Sequence, residues 1–432
     1  MTYFSQLGKK IGIFGLGKTG ISSYEALKDA AELICFDDSQ LNRKLFADIY
    51  GNEILVHYSD SKWDKLDEIL LSPGVPLSHE IVQKAKRFDI KITSDIEILY
   101  EECKDANFVC ITGTNGKSTT TALIGHILKE AGYDYPIGGN IGMAALALPL
   151  YKPGYVLELS SFQLELLNNF QAKIAIILNI TEDHLDRHHT MIEYINIKAK
   201  ILTKLKTEGL AIIGIDNENS ARIFQEYKGQ IKNIIPFSAS KNKDNIPELE
   251  RLKGIHNKEN IVASYIACRA LGVSAKKITD SVVSFEGLPH RMQYIGSKNR
   301  LYFYNDSKAT NAEAASKSLA SLKNIYWLAG GIAKKGGIKN LEFLFANIKK
   351  AYLFGQAKEE FARVLENKVE YQIFDNLEKA FDSAVNDAIN DKNMIKNILL
   401  APAASSYDQF KNFEQRGEFF TKLCRAKITD DE

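Results

Sequence analysis

The sequence predicts an α/β protein of three domains with mostly parallel sheets: two Rossmann-like units flanking a central unit of P-loop ATPase type. Short apolar runs bounded by Gly or Asp alternate with segments of helical period almost from end to end, which is the pattern of βα units. Two glycine-rich turns, at residues 15–20 and 113–118, each follow an apolar run and open a helical segment. The length of 432 residues exceeds one ordinary core and points to several domains.

In the first domain, residues 1–94, a strand is expected over 11–16 and a helix over 20–30. Further strands follow over 33–36, ending in Asp37-Asp38, and over 68–71, ending in Ser72-Pro73-Gly74. Ligands of such sheets bind at the carboxyl ends of the strands. Gly15-Leu16-Gly17-Lys18-Thr19-Gly20 has Gly-x-Gly-x-x-Gly spacing, with acids about twenty residues on, so a diphosphate fits at the helix N-terminus. From the residues alone, a nicotinamide cofactor, another diphosphate and a structural turn all remain open.

In the second domain, residues 95–287, a strand over 108–111 feeds Gly113-Thr114-Asn115-Gly116-Lys117-Ser118-Thr119 and a helix over 117–131. Backbone N–H groups of such a loop point at phosphate, with Lys117 reaching the terminal phosphates and Ser118 ligating Mg²⁺. Ile111 stands where the full motif has Gly, so this is a shorter variant, and its placement between strand and helix is what favours a nucleotide site over an ordinary turn. Strands over 155–159 and 174–178 end in polar residues. Glu158 is the natural second oxygen donor, and Asp183 and His184 belong to a titratable cluster beyond the next strand. A helix over 191–205 carries Lys198 and Lys200, which read by themselves as a solvated face. Amphipathic helices over 257–271 and 275–285 lead to a linker containing Gly287 and Pro289. The third domain, residues 288–432, has strands over 301–304, 325–328, 351–354 and 398–400, with a helix over 377–389.

Bulk chemistry narrows the class. With 55 basic against 54 acidic side chains, no net field recruits nucleic acid or an anionic membrane. The five cysteines lack CxxC spacing, which argues against a zinc ribbon or disulfide scaffold. No signal-like start or long apolar run is present, so a cytoplasmic protein with no membrane partner is expected.

The residues together resemble the Mur ligases of peptidoglycan synthesis over essentially the whole length. The resemblance rests on the phosphate loop, Gly138-Gly139-Asn140-Ile141-Gly142, Glu158-Leu159-Ser160-Ser161-Phe162-Gln163, Asn179 to Asp186, His256-Asn257 with Asn260, and Leu288-Pro289-His290-Arg291. Asn305-Asp306-Ser307-Lys308-Ala309-Thr310-Asn311 and the stretch from Asp408 to Gly417 look like the branch that adds D-glutamate.

The resemblance implies ATP as co-substrate, two Mg²⁺ sites (Mn²⁺ being an alternative) at Ser118, Glu158, His184 and Lys198, and CO₂ bound as a carbamate on Lys198. It implies adenine contact by Asn260, phosphate contact by Arg291 and ribose contact by Asp306. The incoming D-glutamate would meet Lys308, Thr310, Lys334, Ser406, Tyr407 and Phe413, with Lys335 competing for the role of Lys334. The first-domain turn becomes a site for UDP-N-acetylmuramoyl-L-alanine, comprising Gly15, Leu16, Gly17, Lys18, Thr19, Asp37, Asp38, Ser72, Pro73 and Gly74, with Asn140, Ser161 and Gln163 from the central domain. Lys117, His184, Lys198, Asp183 and Arg291 are the implied catalytic set, and a monomer is expected. The rivals are another amino-acid ligase of this superfamily, including the folate-glutamylating type, an ATP-driven switch, and a dehydrogenase.

Overall fold

The computed structural model describes residues 3–240, 255–334, 336–391 and 395–429. Lys335 lies outside the described residues. The chain forms two compact units, one of residues up to 240 together with 255–285, the other from residue 286 onward.

The first unit holds two all-parallel sheets. One comprises β1 (Lys10–Phe14), β2 (Glu32–Phe36), β3 (Glu68–Leu71) and β4 (Lys91–Thr93) in the order β2-β1-β3-β4. The other comprises β5 (Asn107–Thr112), β6 (Ile137–Gly139), β7 (Gly154–Glu158), β8 (Ala172–Ile177), β9 (Leu205–Gly214) and β10 (Ile234–Phe237) in the order β10-β9-β8-β5-β7-β6. In each sheet the order reverses beside one strand: β1 lies between β2 and β3, and β5 between β7 and β8. Such a reversal opens a crevice at the strand's carboxyl end. Both glycine-rich turns sit at these two positions.

In the second unit, β11 (Gln293–Lys298), β12 (Leu301–Asn305), β13 (Ile325–Gly330), β15 (Ile348–Phe354), β16 (Tyr371–Ile373) and β17 (Lys396–Leu400) form a sheet in the order β11-β12-β17-β13-β15-β16. Only β11 runs antiparallel. A separate two-residue pairing joins β14 (Ile332–Ala333) to β18 (Ala404–Ser405). The α/β class and the mostly parallel sheets stand as expected.

The helix expected over 191–205 is shorter: the α-helix is Met191–Ala199, a 3₁₀ turn follows over Lys200–Lys204, and Leu205 already begins β9. Leu210, Ala211, Ile212 and Ile213 pair with β8 and supply an inner strand, so sheet pairing sets the boundary rather than helical period. The three-residue strands β4, β6 and β16 leave no apolar run long enough to be seen in the sequence.

The helix Asp95–Glu102 ties the two sheets of the first unit together. The Glu97 carboxylate accepts the backbone N–H groups of Asn168, Asn169 and Phe170 at 2.6, 3.1 and 3.0 Å. Asp95 is buried and accepts from Ile96 N–H at 3.0 Å and Ala145 N–H at 3.3 Å, and burial pushes its carboxyl up to about 6. The folded state therefore holds this proton over a range where the unfolded chain, near pH 3.9, has released it. Its contribution is favourable below about pH 4 and is lost as pH rises toward 6. In a series of urea denaturations, Asp95→Asn should remove that fall in unfolding free energy; an unchanged slope between pH 4 and 6 would show that Asp95 is not its source.

Candidate active site

The phosphate loop is held by its own strand neighbours. Thr114 N–H donates to the Asn179 carbonyl at 2.8 Å and Asn115 N–H to Asn179 Oδ1 at 2.9 Å. Asn179 Nδ2 in turn donates to Glu259 Oε2 at 3.2 Å. Gly116 caps the helix Lys117–Glu130 with φ +83°, and a Cβ there would lie 2.2 Å from Asn260 Oδ1. Only glycine allows both the left-handed turn and that approach. Asn260 is buried, its Oδ1 accepting from Thr120 and its Nδ2 donating to Asn257. Lys117 Nζ folds back to the carbonyls of Gly113 and Thr114, both at 2.9 Å. Ser118 is buried in the helix's first turn, followed by Thr119.

Two buried titratable side chains, Lys198 and Glu158, stand beside this loop. Lys198 is 1% exposed, its Nζ donating to the Gly113 carbonyl at 2.8 Å and lying 4.8 Å from the Tyr194 ring centroid. Burial above all, then the nearby Lys117, pushes its amine well below the ordinary lysine value, against the opposing pull of Asp183 and Glu158. The solvated-face reading of this lysine is thereby corrected. Lys200 also turns inward, donating to the Glu165 carbonyl at 2.8 Å. Glu158, 2% exposed, accepts from Asn140 Nδ2 at 2.7 Å through Oε1, while Oε2 is buried and has no hydrogen-bond partner among the described residues. His184 is half-exposed, with Nε2 3.5 Å from Asp183 Oδ2 and its ring 5.1 Å from that of Phe162.

A cleft of about 670 Å³ opens at the carboxyl end of β1 and reaches the central sheet's loops. Its lining includes Gly15, Gly17, Lys18, Thr19, Asp37, Asp38, Ser72, Pro73, Gly74, Asn140 and Gln163, all read from the sequence as one ligand site. Leu16 and Ser161 are not in the lining. Leu16 is buried with its N–H on Asp37 Oδ2 at 2.5 Å, and Ser161 is buried with its hydroxyl 2.8 Å from His188 Nε2. Ser160 lines the cleft instead, as the N-cap of the helix Ser161–Glu165 in a capping box with Gln163. The Ser-x-x-Gln spacing is a legible cap signature and could have chosen between the two serines. Phe14, Ser39, Asn42 and Phe162 also line the cleft and were not assigned to the site from the sequence.

In the second unit, Asp306 is buried, accepting Met292 N–H at 3.2 Å and the Ser318 hydroxyl. Burial raises its carboxyl above the ordinary value, against these bonds and the neighbouring Arg291, which is itself exposed. Lys308 Nζ lies 4.9 Å from the Phe413 ring centroid. Lys334 and Ser406 flank the β14–β18 pairing, which sets Ile332 opposite Ser405 and Ala333 opposite Ala404. Ser406 is buried, Tyr407 is 72% exposed, and Thr310 N–H bonds the Lys308 carbonyl at 2.8 Å.

Family models match three stretches: the Mur ligase MurD-like N-terminal domain at 9–94, the Mur ligase middle domain at 111–267, and the Mur ligase glutamate ligase domain at 290–403. A UDP-N-acetylmuramoylalanine--D-glutamate ligase of Rickettsia felis is 53% identical, the match covering 98% of each chain. The chain belongs to the Mur ligase family. A ligase of the same name from Wolbachia pipientis is 38% identical over 96% of each chain. Among solved structures, the MurC ligase of Thermotoga maritima matches with TM-score 0.57 at 17% identity, covering 97% of this chain and 100% of that one. MurF of Acinetobacter baumannii matches with TM-score 0.57 at 19% identity, covering 76% and 79%. These two show the shared Mur ligase fold.

Asn179 was not singled out as a site residue, yet it clamps two consecutive N–H groups of the phosphate loop. Asn179→Ala removes the side-chain half of that clamp, the bond from Asn115 N–H and the bond to Glu259, and should cost about 1 kcal/mol of stability. It should also weaken binding of a fluorescent adenine nucleotide; unchanged affinity in a folded variant would show that the clamp does not set the loop.

Proposed function

We infer that this protein is an ATP-dependent ligase that joins D-glutamate to UDP-N-acetylmuramoyl-L-alanine in peptidoglycan precursor synthesis. The observation that carries this reading is full-length similarity to relatives named for that reaction. The geometry of the phosphate loop supplies the chemistry.

In the proposed reaction the alanyl carboxylate oxygen attacks the γ-phosphorus of ATP and ADP leaves. The amine of D-glutamate then attacks the carbonyl carbon of the acyl phosphate, and inorganic phosphate leaves as the amide bond forms. Phosphate is a far better leaving group than hydroxide. Lys117 and Arg291 neutralise the transferring phosphoryl group. Asp183 and His184 are the candidate bases for the incoming amine.

Ser118, Glu158, His184 and Lys198 are proposed to hold two Mg²⁺ ions, for which Mn²⁺ is an alternative. The fit rests on the unpartnered buried Glu158 Oε2 and on a lysine whose amine burial drives toward neutrality. A neutral Nζ can attack the carbon of CO₂ and lose a proton, becoming a carbamate whose oxygens suit Mg²⁺ where an ammonium does not. The bound metal supplies positive charge to the phosphate oxygens.

The cleft at β1 takes the UDP-sugar substrate, and Lys308, Thr310, Lys334, Ser406, Tyr407 and Phe413 take D-glutamate, whose two carboxylates call for cations and hydroxyls. Asn260 and Asp306 are proposed to meet the adenosine. Domain limits are proposed at 1–94, 95–287 and 288–432. The proposed setting is a monomer in the cytoplasm acting on small molecules and not on nucleic acid; among the described residues no helix is long and apolar enough to cross a membrane.

Phosphate release in the presence of ATP, Mg²⁺ and UDP-N-acetylmuramoyl-L-alanine should require D-glutamate and ignore L-glutamate, L-lysine and meso-diaminopimelate. Release driven by another amino acid points to a different ligase, and release indifferent to all of them to a switch. Lys334→Ala should raise the KM for D-glutamate about 10–100-fold, as expected for one charged hydrogen bond, with a normal KM counting against that contact.

A further inference from the structure

Arg416 lies in the first turns of the helix Phe413–Thr429 and is among the largest fully buried side chains of the protein. Its Nε donates to Ser307 Oγ at 3.0 Å and its Nη2 to the Ser307 carbonyl at 2.8 Å. Its Nη1 donates to the carbonyls of Gly330 at 3.3 Å and Ala404 at 3.1 Å. These acceptors belong to three different segments: the loop after β12, the end of β13, and β18. Each segment leads directly into a residue of the amino-acid pocket proposed above. Lys308 follows Ser307, Lys334 lies four residues beyond Gly330, and Ser406 lies two beyond Ala404. Ser307 Oγ also donates to the Phe413 carbonyl at 2.8 Å, so the fourth wall is joined to the same group.

Every one of these acceptors is a neutral oxygen. Among the described residues no carboxylate pairs with Arg416, and Asp408 is the acid that pulls on it from a distance. Burial draws the guanidinium down to about 10, which leaves it charged at neutral pH. A charge kept out of water without a counter-ion is costly, and a neutral polar group could have bridged fewer of these oxygens at lower cost. Its positive potential falls on a site whose ligand carries two carboxylates.

We propose that Arg416 is a positioning residue for the amino-acid substrate. Its planar fork fixes the segments bearing Lys308, Lys334 and Ser406 at one spacing and sets an uncompensated positive charge behind the pocket. This rests on the D-glutamate reading of that pocket.

The test compares wild type with Arg416→Lys, Ser307→Ala, Lys334→Ala and Ser406→Ala. It reads the KM for D-glutamate, ATP and the UDP-sugar, the kcat at saturation, and the thermal midpoint. Arg416→Lys keeps the charge but cannot bridge three segments. It should raise the KM for D-glutamate by about tenfold or more, as small misplacements of binding groups do, while the other two KM values move less than about twofold. Ser307→Ala, which removes the bond from Arg416 Nε and the bond to the Phe413 carbonyl while leaving the other three guanidinium bonds in place, should shift the same KM in the same direction by a smaller factor. Should Arg416→Lys not fold, the Ser307→Ala shift decides. A normal D-glutamate KM in the folded variants, or all three KM values drifting together with the thermal midpoint, overturns the proposal. If Lys334→Ala and Ser406→Ala leave the D-glutamate KM unmoved, the pocket reading fails and takes this proposal with it. If they raise it and the Arg416 and Ser307 variants do not, only this proposal fails.

Discussion

Lys198 sits 1% exposed with its amine on the carbonyl of Gly113, and Glu158, 2% exposed, keeps one carboxylate oxygen without a partner among the described residues. Taking an amine and a carboxylate out of water at the mouth of one sheet is expensive unless something repays it. Neither group forms an ion pair with the other among the described residues. The amine escapes part of the cost by moving toward its neutral form, while Glu158 Oε2 accepts no hydrogen bond from the described residues. The switch at β5 explains why both are there: β5 delivers the phosphate loop, β7 on one side ends in Glu158, and β8 on the other leads to Asn179 and Asp183. The helix Met191–Ala199 returns Lys198 to the loop's underside.

The same carboxylate connects the loop to the cleft at β1. Asn140 lines that cleft and donates to Glu158 Oε1 through its side chain and to the Glu158 carbonyl through its N–H. Lys18, from the first glycine turn, bonds the Gly142 carbonyl in the same segment. A ligand seated on the first turn is thereby one short polar chain away from the buried acid of the second, which is the geometry required if the nucleotide-sugar's far end is to meet a terminal phosphate.

The two glycine turns were legible because close backbone approach demands glycine, and that demand shows in sequence as spacing. Most of the cleft was legible for the same reason, since strand ends such as Asp37 and Ser72 follow apolar runs. Lys198 was not legible from its own surroundings. A lysine on a short amphipathic helix reads as solvated, and only the tertiary docking of that helix under Gly113 buries it. The family resemblance supplied what local pattern could not. Ser160 and Ser161 were confused because adjacent serines at a helix start differ only in which is the cap. The end of the helix at Ala199 was misplaced because strand pairing between β8 and β9 decided it. Arg416 was quoted within a motif but given no role, because its acceptors are three backbone carbonyls and one hydroxyl, up to 109 residues distant, and leave no sequence signal.

The most direct measurement of whether Glu158, Ser118 and Lys198 form one metal-phosphate centre is anomalous diffraction from crystals grown with Mn²⁺ and a non-hydrolysable ATP analogue. The expected result is a manganese peak at about 2.0–2.2 Å from oxygens of Glu158 and Ser118, with density for a carboxylate continuous with Lys198 Nζ. Manganese bound elsewhere, with Glu158 unliganded and Lys198 a bare amine, would contradict it.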